Sequence, residues 1–302
     1  MKYPKKLEKG DQVAIVCPAS SLFEKIDLEY IKTVLESWGL EVLLGDTTHA
    51  THHNFAGNDF ERKMDLQKYL DNPDVKAIFA ARGGYGSVRI IDQLDFSTFN
   101  KNPKWIIGFS DITVLHSHIH ATSGIPTLHG QMPVCFETGS SESLESLKNA
   151  LFGQPVRISY TSQAVLSRPG KAEGILVGGN LSLLHSLLGS DSDYNYDGKI
   201  LFIEDVGEKY YNIDRMLWTL KRAKKFEKLN GLIVGGFTEM IDTDPSFGAS
   251  TEEIIYRKVK DLPYPVAFDF PAGHIDDNRA IILGAKCLLE INQRQVTLEQ
   301  YQ

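Results

Sequence analysis

The sequence predicts an α/β protein with an N-terminal doubly wound parallel sheet and a C-terminal mixed α/β domain. In the first half, short apolar runs alternate with amphipathic stretches, as parallel strands joined by crossover helices require. The 302 residues suffice for two domains of about 100–200 residues each. A polar segment rich in Gly, Pro and Ser interrupts the pattern. We therefore predict an N-terminal domain at 1–155, a linker at 156–172 and a C-terminal domain at 173–302.

Five apolar runs of the first half are the candidate strands of the parallel sheet. They are QVAIVCP (12–18), LEVLLG (40–45), VKAIFAA (75–81), WIIGF (105–109) and IPTLHG (125–130). The stretches between them have helical character, and we predict helices at 24–38, 59–71, 86–94 and 111–122.

The second half contains a mixture of helical and strand-like patterns. Helices are predicted at 180–189 and at 210–224, where apolar residues recur at helical spacing. Strand-like runs occupy 199–205, 231–237, 265–270, 280–284 and 287–291. This domain is therefore expected to end in strands.

Composition excludes several classes of protein. The formal net charge is −7 without a run of like charges, so nucleic acid is not an expected partner. Cys17, Cys135 and Cys287 are far apart and form no CxxC pair, which argues against a disulfide framework or a structural zinc site. The apolar core of the N-terminus is shorter than a secretory signal needs, and no apolar run approaches the length of a membrane span. We expect a cytoplasmic protein with no metal and no cofactor.

Ser110 is the first candidate for chemistry, in the stretch KWIIGFSDITVLHSHIH. A serine between a buried strand and a helix sits on a sharp turn, where helix N–H groups are available to an oxyanion. Only half of a G-x-S-x-G elbow is present, because Ile112 occupies the position of the last glycine. Ser110 is thus either a nucleophile or an ordinary helix N-cap.

The nearby His116 is not its base, because six residues of helix place it about 9 Å along the axis. His116 and His120 share a helix face, but no third metal ligand accompanies them.

A glycine-rich loop, Arg82 to Gly86, follows the third predicted strand. Such backbone approaches a ligand closely and turns N–H groups towards an anion, although a turn without a ligand has the same composition. Loops at the carboxyl ends of neighbouring parallel strands converge, so this loop and Ser110 are expected to line one pocket.

Further along the chain, Gly273 and His274 form a candidate base loop, and Glu204 ends a strand where a carboxylate is able to hold an imidazole. Asp205 alternates to the other strand face and is the weaker candidate. Spacing alone does not select this pair.

Seven segments in order resemble the LD-carboxypeptidase family of serine peptidases, the muramoyl-tetrapeptide carboxypeptidases, whose relatives include microcin C immunity proteins. The segments are GDQVAIVCPAS, ARGGYGSVRIIDQLD, PKWIIGFSDITVL, LHGQM, VGGNLSLLHSLLGS, ILFIEDVGEKYYNIDRML and GHIDDNRAIILG. The resemblance implies Ser110 as nucleophile, Glu204 as the residue that orients the base, and His274 as the base. It also implies an N-terminal domain similar to class I glutamine amidotransferases and a homodimer. Gln131, where the family's HG segment usually continues with Pro, and Ile282, where Pro often precedes the final Leu-Gly, depart from the pattern.

The expected reaction is hydrolysis of the L,D amide bond of a murein tetrapeptide, releasing D-alanine in peptidoglycan recycling. We expect the N–H groups of Gly84 and Asp111 to form the oxyanion hole. Arg82 and Tyr85 are candidate substrate-binding residues, and Arg82 is alternatively a brace for its loop. Two other functions remain open: a microcin immunity-like amidase, which needs an aromatic pocket that Tyr194 and Tyr196 do not establish, and a non-catalytic ligand-binding relative.

Overall fold

The computed structural model describes residues 2–22 and 26–301 and contains two mixed sheets flanked by helices. The strands are β1 (Gln12–Val16), β2 (Glu41–Leu44), β3 (Val75–Ala80), β4 (Trp105–Gly108), β5 (Thr127–His129), β6 (Val156–Thr161), β7 (Gly170–Asn180), β8 (Ile200–Val206), β9 (Gly231–Thr238), β10 (Val266–Ala267), β11 (Ile281–Leu283), β12 (Lys286–Asn292) and β13 (Gln295–Gln300). The helices are α1 (Leu28–Ser37), α2 (Asp59–Asp71), α3 (Ser97–Lys101), α4 (Thr113–Ser123), α5 (Ser141–Leu151), α6 (Leu181–Ser186), α7 (Tyr210–Arg222) and α8 (Thr251–Val259).

The first sheet has the order β11-β5-β4-β3-β1-β2. The five strands from the first half of the chain form where the apolar runs predicted them, and all are parallel. The residues of β1, β3, β4 and β5 are almost all buried, as expected for strands that helices cover on both faces, whereas the edge strand β2 is partly exposed. The sixth strand, β11, is antiparallel to β5 and comes from the second half of the chain. The predicted strand at 280–284 is therefore present but belongs to the first sheet.

The second sheet has the order β10-β9-β8-β7-β12-β13-β6. Strands β7 to β10 are parallel, and β12, β13 and β6 extend the sheet with antiparallel pairs. Residues 156–161 of the predicted linker form the edge strand β6. The last residues of the predicted linker, 170–172, belong to β7. β6 alternates buried and exposed residues, which is the pattern of a strand with one face in water.

Two helix predictions and one strand prediction match the structure only in part. The predicted helix at 86–94 consists of two short 3₁₀ turns, 87–89 and 91–93, because Gly86 has φ +143° and no helical turn precedes them. The predicted helix at 24–38 is observed as α1, while residues 24 and 25 lie outside the described residues. The predicted strand at 265–270 is also shorter, since Asp269 adopts a left-handed φ of 58°. No helix in the described ranges is long and apolar enough to cross a bilayer.

Candidate active site

Ser110 occupies a strained turn between β4 and α4. Its φ is +63°, a left-handed conformation that costs a residue with a Cβ roughly 1–2 kcal/mol. Phe109 before it is extended, and a 3₁₀ turn at Ser110–Ile112 leads directly into α4. Such a turn lifts the hydroxyl off the end of the sheet, as in a nucleophile elbow.

The missing last glycine of the elbow is compensated at Gly108. A Cβ on Gly108 would lie 2.8 Å from the Cγ1 atom of Ile112, closer than real Cβ atoms approach their neighbours. Ile112 is fully buried in the core beneath the turn. The bulky residue at 112 is thus accommodated because residue 108 has no side chain.

The side chains of Ser110, His274 and Glu204 lie side by side. In sequence, His274 is 164 residues from Ser110 and 70 residues from Glu204. The Nε2 atom of His274 is 3.1 Å from Ser110 Oγ. On the other side of the ring, Nδ1 is 2.6 Å from Oε2 of Glu204, and the backbone N–H of His274 donates to the same oxygen at 3.3 Å. The Glu204 carboxylate accepts a hydrogen bond from Nδ1–H, which leaves Nε2 as the acceptor for the serine hydroxyl.

A bulge in the second sheet helps to aim Glu204. The register between β8 and β9 shifts between Ile203 and Asp205, opposite Gly235 and Gly236. Bulges of this kind commonly re-aim a side chain next to an active site. Asp205, on the other face as predicted, accepts hydrogen bonds from Asn180 and Ser182 instead of from an imidazole.

Gly273 allows the base loop to lie directly on Glu204. Its φ is +108°, and a Cβ there would be 2.7 Å from Glu204 Cβ and 2.9 Å from Oε2. The loop is fixed on its far side by Thr238, whose Oγ1 donates to the His274 carbonyl at 2.9 Å. Glycine at 273 is therefore required by both the backbone and the carboxylate.

The electrostatics of the pair favour a protonated imidazole. Burial lowers the pKa of His274, but the Glu204 carboxylate, through its charge and its hydrogen bond, raises it by more, with help from Asp205 and Glu239. The net pKa lies above the ordinary value of 6.5. Glu204 is fully buried, and its Oε1 atom has no hydrogen-bond partner among the described residues. A carboxylate buried in this way favours the imidazolium form of its partner.

The glycine loop meets Ser110, as the convergence of strand ends predicted. A Cβ on Gly83 would lie 3.1 Å from Ser110 Oγ and 3.3 Å from the backbone nitrogen of Asp111. The absence of a side chain therefore leaves space beside both the hydroxyl and that N–H group. Asp111 itself points its buried carboxylate away to accept from the Ser87 N–H at 2.8 Å, which ties the loop to the turn.

Arg82 and Tyr85 occupy different positions at this loop. Arg82 is half-buried and donates through Nη1 to the Ser21 carbonyl at 2.9 Å, which favours its role as a brace. Tyr85 is 52% exposed, with its ring 6.1 Å from that of Phe55. Sequence reasoning missed Arg62 of α2, a fully buried guanidinium that donates to the carbonyls of Pro18 and Gly86 at 2.7 and 3.0 Å. A lone arginine within a charged helix carries no sequence signal for such a role.

The helix histidines belong to the scaffold. His116 is fully buried, donates through Nε2 to the Gly108 carbonyl at 2.9 Å, and has its pKa lowered by burial to about 4. Burial and the nearby Lys199 likewise lower the pKa of His120 to about 4. His129 packs between the rings of Phe109 and Phe202. Among the residues described, no three His, Cys, Asp or Glu side chains form a group able to hold a metal ion.

A contact between Asn180 and Thr113 joins the end of β7 to the start of α4 near Ser110. The Asn180 N–H donates to Thr113 Oγ1 at 3.0 Å, and its side chain donates to Asp205 at 2.9 Å. A Cβ on Gly179 would lie 2.5 Å from the same Thr113 oxygen, so glycine at 179 permits the close approach. The first turn of the helix after Ser110 is thus hydrogen-bonded to the end of β7.

Comparison with known proteins places this chain in a family. The sequence profile of the LD-carboxypeptidase N-terminal domain matches residues 13–130, and that of the LD-carboxypeptidase C-terminal domain matches residues 173–289. A probable murein peptide carboxypeptidase of Bacillus subtilis is 37% identical, over 98% of this chain and 94% of its own. The microcin C7 self-immunity protein MccF of Escherichia coli is 26% identical over 88% of this chain and 86% of its own. The crystal structure of muramoyltetrapeptide carboxypeptidase from Oxalobacter formigenes superposes with a TM-score of 0.87 at 28% identity, covering 96% of this chain and 99% of that one. This chain belongs to the LD-carboxypeptidase family.

Proposed function

We propose that the protein is a serine carboxypeptidase that hydrolyses the L,D amide bond of murein tetrapeptides. The observation that carries the proposal is the continuous line from the Ser110 hydroxyl through the His274 ring to the Glu204 carboxylate, with contacts of 3.1 and 2.6 Å. Nucleophile, base and orienting acid are recognised by such geometry rather than by their order in the chain.

In the proposed acylation, His274 Nε2 takes the Ser110 proton as Oγ attacks the carbonyl carbon of the L-configured residue. Glu204 stabilises the imidazolium that forms, and the N–H groups of Asp111 and Gly84 receive the oxyanion. His274 then gives the proton to the departing amine of D-alanine, leaving an ester on Ser110.

Deacylation repeats the same steps with water as the nucleophile. His274 removes a proton from the water, which attacks the ester carbonyl, and returns it to Ser110 Oγ as the acyl group leaves. The Ser110 turn and the Gly83 space lie on one side of the scissile carbonyl, so both half-reactions use the same N–H groups. Arg82 braces this loop, and Tyr85, the more exposed of the two, is the proposed contact for the peptide.

The substrate class follows from the relatives. The Bacillus subtilis protein is named a probable murein peptide carboxypeptidase, and the Oxalobacter formigenes structure is that of a muramoyltetrapeptide carboxypeptidase. We extend that class to this chain and propose D-alanine as the leaving group. A homodimer that acts in the cytoplasm on recycled peptidoglycan is part of the proposal.

The observed positions of two tyrosines weigh against the microcin immunity-like alternative. Tyr194 and Tyr196 are 2% and 4% exposed and pack on each other in the core, so neither offers a face for stacking a nucleobase. The third possibility, a non-catalytic binding relative, requires the Ser110, His274 and Glu204 side chains to be aligned without turnover.

Mass spectrometry of a tetrapeptide distinguishes these functions. L-Ala-γ-D-Glu-diamino acid-D-Ala, with lysine or diaminopimelate at the third position, is incubated with the protein and with Ser110→Ala. The proposal expects loss of one alanine residue with the parent protein only, and no cleavage of the same peptide ending in L-alanine. An intact D-alanine peptide would refute it, and binding of that peptide without cleavage would establish the non-catalytic alternative.

A further inference from the structure

A buried glutamine, Gln131, connects the segment that leads to Ser110 with the loop that carries His274. It follows β5, the neighbour of β4 in the first sheet, and is 2% exposed. The preceding residue, Gly130, donates its N–H to the Gly108 carbonyl at 3.3 Å, two residues before Ser110. Gln131 is therefore attached to the nucleophile side of the site by its own backbone.

The side chain of Gln131 reaches the other side. Its Nε2 donates to the carbonyl of Asp276 at 3.3 Å, and its Oε1 accepts from Nδ2 of Asn278 at 3.4 Å. Asn278 is fully buried, and its Oδ1 accepts the N–H of Gly273 at 2.8 Å, directly before His274. Gln131 thus contacts the C-terminal half of the loop from 273 to 278 directly and its first residue through Asn278.

The surrounding chain leaves space for that amide. A Cβ on Gly139 would lie 2.2 Å from the Nε2 atom of Gln131, so any larger residue at 139 would displace it. The other contact of the Asp276 carbonyl, the Ser140 N–H at 2.9 Å, comes from the same turn. The amide is held in one place by these close neighbours.

We propose that Gln131 is a positioning residue that sets the distance between Ser110 Oγ and His274 Nε2. Glu204 orients the imidazole within the second sheet, but nothing in that contact fixes the ring relative to the first sheet, where Ser110 resides. Gln131 and Asn278 add a direct side-chain connection between the two. A displacement of about 1 Å between reacting groups costs on the order of 100-fold in rate. Loss of the two long hydrogen bonds of Gln131 is therefore expected to lower the reaction rate strongly.

The test rests on the proposed function only in its use of a D-alanine peptide as substrate. The rate of Ser110 phosphonylation is measured as well, because it does not depend on that substrate. Gln131→Met has nearly the same volume and loses both hydrogen bonds. Gln300→Met is the matched control, because Gln300 is also buried and also makes two hydrogen bonds, with the N–H and carbonyl of Ile282 at 2.8 and 2.7 Å. For each variant, kcat and KM for D-alanine release are measured, together with the second-order rate of Ser110 phosphonylation by a fluorophosphonate, well below its melting temperature.

We expect Gln131→Met to lower kcat and the phosphonylation rate about 10- to 100-fold, with KM within about twofold. We expect Gln300→Met to leave both rates within about twofold while it lowers the melting temperature. Unchanged rates in Gln131→Met, or an equal loss in Gln300→Met, would overturn the inference. Phosphonylation of the wild type without tetrapeptide cleavage would overturn the proposed substrate alone, and the comparison of phosphonylation rates would still decide the role of Gln131. A wild type that is neither phosphonylated nor active overturns both.

Discussion

Replacing Glu204 with glutamine separates the charge of this residue from its shape. Oε2 accepts both hydrogen bonds from His274, so the amide oxygen of Glu204→Gln is able to keep them. The amide nitrogen then takes the position of Oε1, which has no partner in the described part of the chain. The ring should stay in place while the negative charge that stabilises its protonated form is lost.

The size of the expected loss of activity follows from the change of a charged hydrogen bond into a neutral one. A hydrogen bond to a charged group contributes about 1.5–3 kcal/mol, against about 1 kcal/mol for a neutral one. The His274 contact is short and fully buried on the carboxylate side, so the upper part of that range applies. Since a neutral hydrogen bond remains, the difference is about 1–2 kcal/mol, and we expect kcat/KM for D-alanine release to fall about 5- to 30-fold. Glu204→Ala, which loses the orientation as well, should lose more.

The pH profile carries the sharper prediction. His274 acts as a base only when it is neutral, so kcat/KM is present above its pKa and is lost as pH falls through it. Glu204 holds that pKa above 6.5 against the opposing effect of burial. In Glu204→Gln only the burial effect and the more distant carboxylates remain, and the acid limb of the profile should move to lower pH. Initial rates from pH 5 to 9 measure this, and a limb that stays in place or moves upward would refute the assignment.

The remaining predictions concern backbone strain and close packing. Ser110→Gly and Ser110→Ala should both be inactive, but the glycine variant should be about 1 kcal/mol more stable in urea denaturation, because φ of +63° disfavours a Cβ. Equal stabilities would show that the turn is not strained. Gly273→Ala should reduce kcat/KM at least about 100-fold, because its Cβ would lie 2.7 Å from Glu204 Cβ and displace the base. Gly189→Ala, whose φ is also positive at +79° but whose Cβ would meet no atom within 4 Å, is the control and should lose stability without loss of rate.

Much of the first sheet could be predicted because most of its strands are buried on both faces and therefore appear as continuous apolar runs. The second sheet was harder, since β6 and β13 lie at its antiparallel side and contain alternating polar residues that resemble a loop in a Gly-rich and Pro-rich context. Alternation of period two over VRISYT was the signal that could have identified β6. The placement of β11 in the other sheet depends on a long-range pairing with β5 that no local pattern encodes.

The site shows the same division between local and distant information. Helix geometry excluded His116 as the base, and strand alternation placed Asp205 on the opposite face from Glu204, both from sequence alone. The pairing of Glu204 with His274 came only from the family resemblance, because 70 residues separate them. The links through Arg62 and Gln131 depend on which loops meet in space, and the sequence offered no pattern for either.

The strand β11 has a consequence for the order in which the protein is assembled. It completes the first sheet at the edge of β5, yet it is synthesised after five of the seven strands of the second sheet. During translation, the backbone groups along that edge of β5 stay without a partner strand until residues 281–283 leave the ribosome. An isolated fragment 1–155 would carry the same open edge permanently, and open edges promote association between chains. The loop that carries His274 directly precedes β11, so it too is synthesised late, and the pairing of β11 with β5 attaches its C-terminal end to the first sheet.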